Sequence, residues 1–258
     1  MPKKLSPFQK ELRQLGKEEK KFLEKNIHSS DSALNKLISE KIPAKLQSSV
    51  EAAFSKAFAL IFEKGSTFIE KTCSAAEREK RYKIAEYTAK IRDDRKSYKS
   101  FSKTAKAAGR TNTAISAAAG MGMGAFGVGI PDIPLFTSLM FKNIYEIALS
   151  YGYDYKSEQE QTFILMLIRG AVSHGEELEK INDQLDYFIE NGSFSQEYNR
   201  EELIKSAAAS LSKELMYMKF IQGIPVVGLV GGVYDAVYMG RISKYASLKY
   251  KRRFYMDF

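Results

Sequence analysis

Apolar residues recur along this chain at three- and four-residue steps, and no run alternates apolar and polar residues for long enough to build a sheet. The pattern predicts an all-α protein. Ser6 caps a first helix with Pro7 at its first position, which runs through Leu12, Leu15 and Phe22 to about Asn26 and is charged enough to lie on the surface. Pro43 opens a second helix, whose Leu46, Val50, Phe54, Ala57, Phe58 and Ile61 form one core-facing stripe ending before Gly65. From Ser66 to about Ala108 a basic rod carries Ile84, Tyr87, Ile91, Tyr98, Phe101 and Ala105 at near-heptad spacing, with Asp94 interrupting the seam.

Farther on, Ile133 to Tyr151 reads as a helix capped by Asp132, leaving through the turn Tyr151–Tyr155. Ser157 and Glu160 form a capping box ahead of the apolar run Phe163–Ile168, which predicts a deeply buried helix. Glu176–Glu190 reads as an acidic, half-exposed helix stopping at Asn191-Gly192. Asn199 caps another, through Leu203, Leu211, Leu215, Met218 and Ile221, and the last helix runs from near Pro225 to about Arg253.

Two uncharged stretches break this regularity. Thr111 to Pro131 spans enough residues to cross a bilayer, but it is rich in Ala and Gly and holds few large apolar side chains, which argues against a membrane span. Its Gly120, Gly122, Gly124, Gly127 and Gly129 recur in Gly228 and Gly232 near the C-terminus, and small residues four apart let helix backbones approach closely. The expectation is a helical bundle with these two segments crossing at its centre. Asp132 and Asp235 border them as candidate buried acids, either for capping and for pairing with Arg241, Lys142 or Arg169, or for acid–base chemistry.

Charge changes the picture further. The chain carries +9 overall, but residues 1–110 hold +12, residues 111–234 hold −7 and residues 235–258 hold +4. Clustered cations attract phosphate, whether of lipid headgroups or of nucleic acid. Lys80, Arg81, Lys83, Arg92, Arg95, Lys96 and Lys99, with Lys251, Arg252 and Arg253 at the other end, form the candidate anionic-surface set. The lone Cys73 rules out an internal disulfide, and His28 and His174 are too few and too far apart to suggest a metal centre. Phosphate-loop, zinc-protease and nucleophile-elbow motifs are missing from the sequence, so no catalytic residue, cofactor or metal is assigned. Basic residues near Met1 are not followed by an apolar stretch, a pattern that predicts a cytoplasmic protein, peripheral at most to the membrane.

The succession Gly127-Val128-Gly129-Ile130-Pro131-Asp132-Ile133-Pro134-Leu135, then Ile144-Tyr145-Glu146-Ile147-Ala148, then Tyr151-Gly152-Tyr153-Asp154-Tyr155, resembles the EcsC family of bacterial proteins. Ile224-Pro225-Val226-Val227-Gly228, followed by Ala236, Ile242, Ala246 and Tyr250, is similar to that family's C-terminal element. The resemblance covers roughly residues 70–250. It implies an all-helical, cytoplasmic, membrane-associated protein of a family named for one encoded alongside an ABC-type exporter, and it supplies no catalytic residues. The combined expectation is an EcsC-like helical domain over 66–258, with residues 1–65 as a basic helical extension packed on it. Its role is non-enzymatic and membrane-proximal, with an anionic membrane surface, a transporter or another protein as partner. Two alternatives remain open: an enzyme acting on a lipid-like substrate through Asp132 and Asp235, and nucleic-acid binding through residues 78–106.

Overall fold

A computed structural model describes residues 5–27, 42–72, 75–92, 94–100, 102–103, 107, 133–221 and 231–257, excepting the side chains of 64–72, 75–77, 218–221 and 231–235. The described residues form helices and turns without a strand. Among the described residues the fold is carried by α1 (Pro7–Ile27), α2 (Ala44–Thr72), α3 (Ala75–Arg92), α4 (Ile133–Ser150), α5 (Glu158–Val172), α6 (Gly175–Asn191), α7 (Arg200–Ile221) and α8 (Gly231–Asp257).

Local chemistry sets most of the helix ends. Ser6 Oγ accepts from the Gln9 N–H at 3.1 Å, while the Gln9 side chain accepts from the Ser6 N–H at 3.0 Å, a reciprocal capping box. Ser157 Oγ accepts from the Glu160 N–H as expected, but the Glu160 carboxylate does not return to Ser157; it turns inward toward α8. Asn199 Oδ1 accepts from the N–H groups of Glu201 and Glu202 and starts α7. Gly192 ends α6 in the left-handed conformation at φ 73°. Gly65 does not end α2, which continues to Thr72. The basic rod is likewise interrupted: α3 stops at Arg92, and helical turns resume at Arg95. Asp94 drives the restart, accepting from Ser97 N–H at 2.7 Å and Ser97 Oγ at 2.9 Å.

α5 and α8 form the middle of the bundle. α5 packs on α6, α7 and α8, and α8 packs on α1, α4, α5 and α6. Every residue from Phe163 to Ile168 is buried, so α5 has no solvent face over that run. Gly170 lets three helices converge: a Cβ there would lie 2.9 Å from Tyr245 of α8 and 3.0 Å from Ile181 of α6. Close approach through a missing side chain thus occurs at Gly170. Gly120, Gly122, Gly124, Gly127, Gly129 and Gly228 lie outside the described residues, and Gly232 is described only as a helical position in α8.

α1 is bound more tightly than its charge suggested. It packs on α6 and α8, buries Leu15, and stacks Phe22 on Tyr245 with ring centroids 4.9 Å apart. α2 joins α4 and α7 through buried Val50, Phe54 and Phe58, with Phe54 edge-on to Phe136 and Phe58 edge-on to Phe141. Each such buried aromatic or aliphatic side chain stabilises the fold by about 1.5–3 kcal/mol. A buried hydrogen bond from Asn143 to Ser243 pins α4 to α8 within this apolar surround.

Candidate functional site

α3 is held to the bundle by one face and presents another to solvent. On the inner side Arg78 pairs with Glu146 of α4 at 3.0 Å, Ala89 is buried, and Tyr82 packs edge-on against Phe254. The Tyr82 ring also fills the space left by Gly152, which adopts φ +87° in the turn after α4. On the outer side Ile84, Tyr87 and Ile91 are 58%, 69% and 63% exposed. Their spacing of three and four residues places them in one line along the helix. Lys80, Arg81, Lys83 and Arg92 flank this line, all exposed. A hollow of about 540 Å³ is lined by Lys80, Lys83, Ile84, Tyr87, Thr88 and Glu79. Glu79 also pairs with Lys83 at 2.8 Å, which lowers the Glu79 pKa from its ordinary value.

Beyond Asp94 the chain turns back to the bundle. Tyr98 is buried against Phe8 and Tyr255, and Arg95 forms an ion pair with the buried Glu11 of α1. Lys96 and Lys99 stay exposed beside α3. The apolar seam predicted as one stripe is therefore divided: Tyr98 joins the core while Ile84, Tyr87 and Ile91 face water. Phe101 and Ala105 lie outside the described residues.

The C-terminal cations placed in the same anionic-surface set, Lys251, Arg252 and Arg253, pair with carboxylates of the bundle. Lys249 donates to Asp186 of α6 at 2.6 Å and is only 2% exposed. Lys251 lies 3.6 Å from Glu11, Arg252 donates to Glu19 at 2.8 Å, and Arg253 donates to Glu160 at 2.6 Å. The Arg253 guanidinium also lies 4.0 Å above the Tyr153 ring. Carboxylates from three helices thus draw these cations inward, where unpaired charge would be costly. Burial pushes the Glu19 carboxyl up and the Lys249 ammonium down from their ordinary values, against the opposing pull of their ion-pair partners.

A second polar cluster surrounds His174. Its Nδ1 lies 3.2 Å from the Asn26 carbonyl at the end of α1, and its Nε2 lies 2.9 Å from Glu214 Oε1 and 3.1 Å from Arg241. Tyr238 donates to the same Glu214 oxygen at 3.2 Å, and Arg241 donates to the Ser173 carbonyl at 2.8 Å. The sequence singled out His174, but Glu214, Tyr238 and Arg241 had no motif to join them to it. The arrangement joins α1, α7 and α8 around the start of α6. Arg241 is thus engaged by Glu214 and Ser173, and Arg169 by Glu177 at 3.0 Å. Asp132 and the side chain of Asp235 lie outside what is described. Among the described residues, no three His, Cys, Asp or Glu side chains are placed to hold a metal ion.

The model of the EcsC protein family matches residues 8–254. The chain belongs to the EcsC protein family. That span takes in α1 as well as the region whose motifs carried the resemblance. A relative from Bacillus subtilis (strain 168) named Uncharacterized protein YdbA is 24% identical over 145 residues, covering 56% of this chain and 53% of the relative. Protein EcsC of the same organism is 38% identical over 61 residues, 23% of this chain and 26% of that protein. This EcsC-family chain thus aligns with about half or less of the length of these curated relatives. No solved structure matches it. No helix among its described residues is long and apolar enough to cross a membrane.

Proposed function

We propose that this EcsC-family protein is a non-enzymatic, cytoplasmic accessory protein that docks on an anionic membrane surface through α3, in the neighbourhood of an ABC-type transporter. One observation carries the reading: three large apolar side chains, Ile84, Tyr87 and Ile91, stand in solvent on a helix whose flanks hold Lys80, Arg81, Lys83 and Arg92. A helix lying in a membrane interface needs an apolar line to enter the acyl boundary and cations beside it to meet phosphate. α3 has both, while Arg78, Tyr82 and Ala89 fasten it to the bundle. The transporter link rests on the family's association alone.

Vesicle flotation tests the reading. The full chain is expected to float with phosphatidylcholine vesicles containing phosphatidylglycerol and to stay in solution with phosphatidylcholine alone. High salt should weaken the binding without abolishing it, because the apolar contribution is not screened. No flotation with anionic vesicles at any salt concentration would remove the proposal.

A further inference from the structure

A second hollow, of about 370 Å³, lies on the other flank of the exposed line, between α3 and the turn that follows it. Its α3 wall contains Arg81, Ala85, Thr88 and Arg92, at steps of four, three and four residues, so all four fall on one stripe of the helix. Two small side chains in the middle leave a trough with an arginine at each end. Lys96 stands on the opposite wall. Asp94 also lines the hollow, but its carboxylate already accepts from Ser97 N–H and Ser97 Oγ. Those bonds hold its pKa below the usual carboxylate range, so it remains a committed capping anion with Arg92 as a nearby countercharge. Among the described residues, three cations thus face the hollow against one acid held in its cap.

Ile84 lines both this hollow and the one on the Lys83 side, so the cationic trough directly adjoins the apolar line. A bound phosphate here would leave its attached chains beside Ile84, Tyr87 and Ile91. A phosphomonoester carries nearly two negative charges near neutral pH, whereas a phosphodiester carries one and bears a second substituent. Guanidinium pairs reward the dianion through charge-assisted, bidentate hydrogen bonds, and the modest volume suits a small headgroup.

We propose that the Arg81–Arg92–Lys96 hollow takes the phosphomonoester headgroup of an anionic lipid such as phosphatidic acid, so that α3 reads headgroup chemistry as well as surface charge. The proposal rests on the membrane-surface reading above and deepens it.

The test compares phosphatidylcholine vesicles containing phosphatidic acid with vesicles containing phosphatidylglycerol, adjusted to equal surface potential. The full chain is expected to partition about tenfold more tightly to phosphatidic acid, a ratio within reach of one charge-assisted pair. The double variant Arg81→Gln, Arg92→Gln should lose that preference and bind both vesicle types equally and more weakly than the parent, with Lys80, Lys83 and the apolar line carrying the residual binding. Both positions are exposed on a helix and Gln is a good helix former, so the double variant should stay folded, as its circular dichroism would show. Equal partitioning at matched potential, or an intact preference in a folded double variant, overturns the headgroup site and leaves surface binding standing. Failure of the parent to bind either vesicle overturns both.

Discussion

Arg253 Nη1 donates to Glu160 Oε2 at 2.6 Å, joining the last turns of α8 to the first turn of α5. Tyr250 donates to the other Glu160 oxygen, also at 2.6 Å, so this buried carboxylate is satisfied entirely by α8. Arg253→Met keeps much of the stacking volume over Tyr153 but strips Glu160 of its countercharge. Breaking one side of a buried pair costs about 3–5 kcal/mol. Arg253→Met should therefore unfold at much lower urea than the parent, and adding Glu160→Gln should recover part of the loss. A single variant with unchanged stability would contradict the assignment.

The same pair marks where sequence reading stopped. The caps at Ser6, Ser157 and Asn199, the terminator Gly192 and the buried run Phe163–Ile168 were legible because each depends on residues within a few positions of one another. Glu160 three residues after Ser157 satisfied the local capping pattern, and Arg253 within a Lys-Tyr-Lys-Arg-Arg run satisfied the pattern of an interfacial cation. Their partnership spans 93 residues and has no periodic signature. Asp94 fell between two local patterns, since a polar residue in an apolar seam and an N-cap look alike until the helix break is seen. Gly170 sits alone inside an apolar run, so nothing in its spacing announced the crossing of α5, α6 and α8. The exposed side of α3 was half legible: its basic flanks were visible in composition, but which of its apolar residues enter the core depended on tertiary packing.

Gly152 and Tyr82 give a second test. At φ +87° an alanine is strained, and its methyl group would overlap the Tyr82 ring. Gly152→Ala should destabilise by about 2–3 kcal/mol, combining backbone strain with the displaced ring. Adding Tyr82→Ala removes the overlap but not the strain. A double-mutant cycle in chemical denaturation should therefore show favourable coupling between the two changes, and simple additivity would show that the ring does not need that gap.

The His174 cluster predicts a local effect. His174→Ala removes the ring that bridges the Asn26 carbonyl to Glu214, while Tyr238 still donates to Glu214. The loss should be about 1–2 kcal/mol, the cost of a removed hydrogen-bond partner. Amide exchange should accelerate in the last turn of α1 more than in α4, from which the cluster takes no residue. Uniform acceleration across both helices would argue against a joint at the end of α1.

Alkaline pH should expose the tyrosine core. Tyr245 and Tyr250 are buried, donate to Asn182 and Glu160, and have phenol pKa values pushed well above the ordinary 10.0, chiefly by burial. Tyr151, Tyr153, Tyr238 and Tyr255 shift the same way for the same main reason. Above about pH 10 the unfolded chain releases these protons and the folded chain keeps them, so stability falls as pH rises, by up to about 1.4 kcal/mol per pH unit for each tyrosine. Lys249 acts oppositely: burial lowers its pKa, so between its folded value and the ordinary 10.5 the unfolded chain binds more protons and stability rises with pH. One lysine is outweighed by several phenols. Urea unfolding from about pH 8 to pH 11 should show little net loss before a steep decline, with the last of the tyrosinate absorbance appearing together with loss of helix. Complete tyrosine ionisation in a fully helical protein would contradict the burial.

The outer line of α3 should separate folding from surface binding. Ile84, Tyr87 and Ile91 are mostly in solvent already, so the triple change to Gln forfeits little burial and keeps helix propensity. Its unfolding free energy should stay within about 0.5 kcal/mol of the parent for each position changed, as for ordinary surface substitutions. The same variant should bind anionic vesicles only through its cations, with binding that disappears at high salt where the parent's persists. A core role for these residues would instead lower stability and leave the salt dependence of vesicle binding unchanged, so measuring both on one preparation distinguishes an interfacial face from a packing face.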